Sequence, residues 1–245
     1  MIVNSLKEGW EIIYQRSHAN LAAILIAAWQ RKDQVPRWTE LIVATAQHDD
    51  QEMFWKETNH LTDIGAPLDF AEAELDTTRI HAQLVIDNAY RQGVWIALLI
   101  SMHASFLYEP RRGEDAKLDE FLDLQRDVQE SWRKLLGYSK KEIETAYAFL
   151  SWADRMSLIL CRRELPERER ELDVAPGPDG KMTRVMQRED GTIVVRPWIF
   201  EEDDLRVSIE VRRLSQLKFK SEAELQRALD DAEIEISEWH FRKHD

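Results

Sequence analysis

The apolar residues of this chain change their spacing part-way along, from a helical period to a period of two. That switch limits the fold more than any other feature. From Gly9 to Arg163 apolar side chains recur three and four positions apart. Ser17 is placed to cap a helix running to Trp29, with Leu21, Ala22, Leu25, Ile26 and Trp29 on one face. Pro36 opens a second, carrying Leu41, Ile42 and Thr45 inward. Leu75–Arg91, Val94–Leu107, Lys117–Leu136 and Lys140–Arg162 complete a bundle of about six helices. The fifth is clearly amphipathic, with Leu118, Phe121, Leu122, Gln125, Val128, Trp132 and Leu135 in one stripe. Eight glycines and seven prolines are few for 245 residues, which favours long helices over a turn-rich β fold.

After a mixed-charge run from Arg162 to Glu171, the stretch Asp173–Lys181 reads as a linker or loop. Beyond it Leu205, Val207, Ile209 and Val211 alternate with polar residues, as in a half-buried antiparallel strand. Thr192–Phe200 and Val185–Arg188 flank a turn at Asp190-Gly191. A helix at Ser221–Asp231 and a strand around Ile234–Phe241 follow, and Met1–Tyr14 contains strand pieces that can join the same sheet. The expected fold is therefore α+β and mainly α. A helical domain over 1–165 carries a small antiparallel β/α appendage over 182–245.

Composition excludes several classes. Hydrophobic residues at 44% and charged residues at 32% describe a chain that buries a core, not a disordered or fibrous one. A net charge of −13 with no basic stripe argues against nucleic acid as a partner. The longest apolar runs, Leu21–Trp29 and Val94–Met102, are about half the ~20 residues of a spanning helix, so no membrane partner is expected. The single cysteine, Cys161, excludes an internal disulfide and fits a reducing compartment. Met1–Gly9 lacks the basic-then-apolar order of a signal peptide, and a cytoplasmic location is expected.

The functional signal lies in the polar residues that interrupt the apolar stripes. His18 precedes Leu21, Ala22 and Leu25 at inward spacing, and His48-Asp49 follows Leu41 and Thr45. His81 leads Leu84, Val85 and Asn88, His103 follows Ile96, Leu99 and Ile100, and Asp154 follows Tyr147 and Leu150. Five helices thus point histidine or aspartate into one core. One inward histidine is usually a hydrogen-bonded core residue, but buried carboxylates cost several kcal/mol unless paired or metal-bound. No inward lysine or arginine offers a partner, whereas a shared metal centre satisfies imidazoles and carboxylates together. Most of the nine tryptophans read as packing residues, with Trp95 and Trp152 off the main stripe.

The order His18, His48-Asp49, His81, His103 and Asp154, the last in Ala153-Asp154, resembles the HD-domain superfamily of helical metal-dependent hydrolases. The segments MIVNSLKEGWEIIYQRSHANLA, QHDD and SMHASFLYEP are similar to a branch labelled as being of unknown function. The resemblance spans Gly9 to Arg163 and implies an HD-like bundle. It implies two divalent ions (iron, manganese or zinc) held by His18, His48, Asp49, His81, His103 and Asp154. Asp49, the catalytic candidate, would bridge both ions, and a simpler one-metal site would use His18, His48, Asp49 and Asp154. The implied activity is hydrolysis of a small phosphate ester or nucleotide. A di-iron oxygenase with the same ligands and a non-catalytic HD-like binding module are the alternatives. Many HD hydrolases follow the pair with a glycine and a phosphate-contacting lysine. Here Asp50, Gln51 and Glu52 follow, and Lys56 is the nearest basic residue. His244 lies apart from the constellation.

Overall fold

A computed structural model describes residues 1–50 and 59–243; Gln51, Glu52, Lys56 and His244 lie outside the described residues. Two short strands, β1 (Ile2–Ser5) and β2 (Trp10–Ile13), precede six helices. These are α1 (Gln15–Ala27), α2 (Trp38–Gln47), α3 (Leu75–Gln92), α4 (Val94–Tyr108), α5 (Ala116–Leu136) and α6 (Lys140–Cys161). Then come β3 (Leu172–Pro176), β4 (Met182–Gln187), β5 (Ile193–Arg196), β6 (Asp204–Leu214), α7 (Glu222–Asp230) and β7 (Glu233–Arg242). Local chemistry sets several boundaries. Gly137 ends α5 in the left-handed region, and Ser139 with Glu142 forms a capping box that starts α6. Helix α1 begins at Gln15 rather than at a Ser17 cap, because the Tyr14 carbonyl already accepts the Ser17 and His18 N–H groups.

The sheet corrects the expected architecture. It has seven strands in the order β1-β2-β6-β7-β5-β4-β3, so the chain is not a mainly helical HD-like bundle with a small appended sheet. The N-terminal strands join it as their pattern allowed, β2 pairing with β6 through Trp10↔Leu214 and Glu11↔Arg213. Two features depart from the expected sheet. The stretch read as a linker supplies β3 and a tight turn, with Gly177 N–H bonded to the Lys181 carbonyl. The sheet is also mixed, since β5 meets β7 in parallel at Ile193↔Phe241.

Helices and sheet share one hydrophobic core. Trp152 of α6 packs edge-on against Trp29 at 5.0 Å and Phe200 at 6.3 Å, and its indole N–H donates to the Thr183 hydroxyl on β4. Trp95 and Trp152, expected off the apolar stripe, are fully buried. Each such ring removes roughly 150–250 Å² from water, worth about 4–6 kcal/mol before conformational entropy is counted. Leu135 departs the other way, being 71% exposed at the end of α5. Among the described residues, no helix is long and apolar enough to cross a membrane.

The segment from Asn59 to Glu74 closes over the N-terminus. Asp69 ties it down, accepting from Val3 N–H at 2.9 Å and from Arg162 at 2.8 Å. Gly65 turns at φ +81°, where an added Cβ would meet the Phe219 carbonyl oxygen at 2.5 Å, so only glycine fits. This loop becomes one wall of the cavity described next.

Candidate metal centre

Four of the bundle helices deliver the site. His18 comes from α1, His48-Asp49 from the end of α2, His103 from α4 and Asp154 from α6, and all five are buried. Their donor atoms form two groups, His18–His48–Asp49 and His48–His103–Asp154, each with its atoms within 4.8 Å of one another. His81 of α3 is buried and lines the same cavity, but belongs to neither group.

The hydrogen bonds fix which ring nitrogen faces inward. His48 Nδ1–H donates to the Thr45 carbonyl at 2.6 Å, so in the neutral ring Nε2 carries the lone pair. That Nε2 faces Asp154 Oδ1 at 3.1 Å. The Ser157 hydroxyl donates to the Asp154 carbonyl at 2.9 Å and accepts from His18 Nδ1–H at 2.9 Å. His18 Nε2 therefore also presents a lone pair, and it faces Asp49 Oδ2 at 3.2 Å. A lone pair against a carboxylate oxygen repels, so each contact needs a proton or a cation to become attractive. Ligands about 2.0–2.2 Å from one ion and near right angles to each other lie roughly 3 Å apart, which is the spacing found.

The charges agree. Burial alone would lower His48, but the hydrogen bond and charge of Asp154 outweigh it and raise the imidazole to about 9. Asp154 stays below the ordinary carboxylate range despite burial, because His48 bonds to it and three imidazoles surround it. Asp49 is lowered in the same way, the His18 contact overcoming burial. Burial prevails at His103, which is pushed down to about 4 and so is neutral. Both carboxylates stay ionised although buried, and a bound cation would balance that charge.

A cavity of about 310 Å³ opens onto Asp49, His81, His103 and Asp154. Phe70, Leu107 and Tyr108 supply apolar wall, and Arg111 brings a cationic side chain to it. Asp50, which follows the His48-Asp49 pair, is itself paired with Arg16. Sequence reasoning missed three cavity residues. Gln15 donates to Asp49 Oδ2 at 2.7 Å, and was hidden by the apparent cap at Ser17. His60 is buried in the loop wall, its N–H bonded to Glu222 at 3.0 Å, where no periodicity points to it. Arg111 sits in the turn after α4 and carries no pattern of its own.

A family model described as "Protein of unknown function (DUF3891)" matches residues 1–216. The chain belongs to this family. The DUF3891 match takes in α1–α6, β1–β6 and every residue of both ligand groups, and ends before α7 and β7. No curated protein and no solved structure matches the chain.

Proposed function

We propose that this protein is a metal-dependent hydrolase acting on a small phosphate ester or nucleotide, with two divalent ions held by His18, His48, Asp49, His81, His103 and Asp154. The observation that supports this reading most is the pair of imidazole Nε2 atoms aimed at carboxylate oxygens, each ring held by a hydrogen bond on its far nitrogen. Such second-sphere locking is the usual arrangement around metal-bound histidine. Because His48 has one free lone pair, the two groups that share it cannot both be completed by it. A second ion would draw on His103, Asp154 and His81, a buried imidazole on the cavity wall. The order of these residues resembles that of the HD-domain superfamily. Iron, manganese and zinc all suit a mixed imidazole and carboxylate set.

When bound, such ions lower the pKa of a water molecule and hold phosphoryl oxygens. The chain's own part is positional. Gln15 holds the Asp49 carboxylate from one side, so that Oδ2 keeps its aim at His18. Arg111 offers the substrate anion a cationic contact. Phe70 and Leu107 reduce the water that can enter.

A second reading has a specific observation in its favour. Each ligand group is two imidazoles with one carboxylate, the donor set of non-haem iron oxygenases. The two separate in one experiment: metal-stripped protein reloaded with Mn²⁺, Zn²⁺ or Fe²⁺ is given a panel of nucleotides and phosphate monoesters, with and without oxygen. Phosphate release that EDTA abolishes and oxygen does not affect is the expected result. Oxygen consumption by the iron form alone, with no phosphate released, would replace hydrolysis with oxygenation.

A further inference from the structure

The mixed-charge run after α6 begins with two arginines, and they grip different parts of the fold. Asp154, Leu158 and Arg162 follow one another at intervals of four residues, one ridge of α6 and its C-cap. Asp154 and Leu158 line the cavity. Arg162 carries the ridge on to the loop that walls it. Its guanidinium donates to Asp69 Oδ1 at 2.8 Å and lies over the Phe70 ring at 4.9 Å, and both of these residues line the cavity. We propose that Arg162 is a positioning residue that holds the Asp69-Phe70 wall in register with the helix bearing Asp154, and so shapes the cavity for its substrate. The effect on substrate rests on the hydrolase reading above; the effect on the wall does not.

Asp69 is the knot of the wall. Its Oδ2 accepts from Val3 N–H at 2.9 Å, and its Oδ1 accepts from Ala71 N–H at 3.0 Å as well as from Arg162. Beside it, Phe70 N–H donates to the Met1 carbonyl at 2.9 Å and Leu68 N–H to the His60 carbonyl at 2.8 Å. These backbone bonds tie the loop to itself and to the N-terminal strand. The Arg162 contacts tie it to the helix that supplies a ligand. They are also directional, because the carboxylate fixes the edge of the planar guanidinium and the aromatic ring fixes its face. The side chains of Arg162 and Asp69 are 30% and 20% exposed, so solvent screens the pair less than it would on open surface. Arg163 shows that this is a property of Arg162 and not of the run. Its backbone turns out of the helix at φ +58°, and its guanidinium donates to Glu11 Oε2 at 2.6 Å, on the sheet. Arg213 approaches the same oxygen at 2.9 Å. Adjacent arginines thus brace α6 against two elements, one against the cavity wall and the other against β2.

The test compares Arg162→Gln, Arg162→Lys and Arg163→Gln with wild type, all as the whole chain. Amide hydrogen exchange reads the wall directly. In Arg162→Gln the amides of Val3, Leu68, Phe70 and Ala71 should exchange about 10-fold faster, while those in the middle of α4 and α6 keep their wild-type rates. Arg162→Lys keeps the charge without the planar fork and should fall between the two. Arg163→Gln should leave the four amides unchanged, because Arg213 still pairs with Glu11. With Mn²⁺ present and p-nitrophenyl phosphate as substrate, Arg162→Gln should raise KM about 10-fold and leave kcat within about twofold of wild type, the pattern of lost binding rather than lost chemistry. Unchanged exchange at the four amides, or exchange that rises equally throughout α6, would overturn the brace. Faster exchange with an unaltered KM would overturn its bearing on the substrate. A wild type that binds Mn²⁺ and hydrolyses no phosphate ester would overturn the hydrolase reading, and the exchange rates would still decide the role of Arg162.

Discussion

Replacing Asp154 with Asn removes one negative charge from the site at nearly constant volume, and in metal-free protein the consequence depends on pH. His48 rises from 6.5 to about 9 in the folded chain, with the Asp154 hydrogen bond and charge opposing burial. At roughly 1.4 kcal/mol per pH unit, that rise is worth about 3 kcal/mol. A group whose folded pKa is raised contributes its full stability below the unfolded pKa and loses it as pH climbs through the folded one. The contribution is thus complete below 6.5 and gone above about 9. His48 has only 1% of its side chain exposed, so solvent screens the interaction little. Urea unfolding of both proteins in EDTA should show Asp154→Asn weaker than wild type by up to about 3 kcal/mol near pH 6, with the gap closing near pH 9.5. A gap that stays constant across this range would refute the pairing of His48 with Asp154.

Three further outcomes follow from the structure. Asp49→Ala should lose metal and activity together while far-ultraviolet circular dichroism stays native, because it deletes a buried carboxylate along with the ion it served. His240→Ala, whose ring bonds to Asp204 outside the site, should change neither and serves as the control. Trp152→Ala should cost about 3–5 kcal/mol in thermal or urea unfolding, since this fully buried ring joins α1, α6 and the sheet in one core. Gly9→Ala places a Cβ 1.7 Å from the Leu214 carbonyl oxygen at φ +90°, so it should cost more than about 1 kcal/mol and loosen the β2–β6 pairing, read by amide exchange.

What the sequence made legible follows the range of the interactions involved. Helix phase depends on residues three and four apart, so α3 to α6 fall within a residue of their expected limits, and the inward side of His18, His48, His81 and His103 could be read directly. Strand pairing is a long-range matter. The strand pieces of Met1–Tyr14 could be read locally, but Trp10 meets Leu214 across two hundred residues of chain, and nothing local gives that register or the place of β2 beside β6. Asp173–Lys181 looks like a linker because its Pro and Gly residues are punctuation, yet Leu172–Pro176 completes the far edge. Leu135 continues the stripe of α5 past the end of its packing partners and emerges exposed. At the site, the locking groups follow the same rule. Ser157 sits in phase with Asp154, whereas His60 and Gln15 owe their positions to a loop and to a helix that begins one turn early.

The central claim is that the buried imidazole and carboxylate cluster exists to hold divalent metal. Elemental analysis of protein purified without added metal tests it most directly, with Asp49→Ala prepared in parallel. Wild type should carry iron, manganese or zinc, approaching about two ions per chain after reloading, and Asp49→Ala should carry almost none. Wild-type protein that is natively folded, free of metal and unable to take up Mn²⁺, Zn²⁺ or Fe²⁺ would contradict the claim.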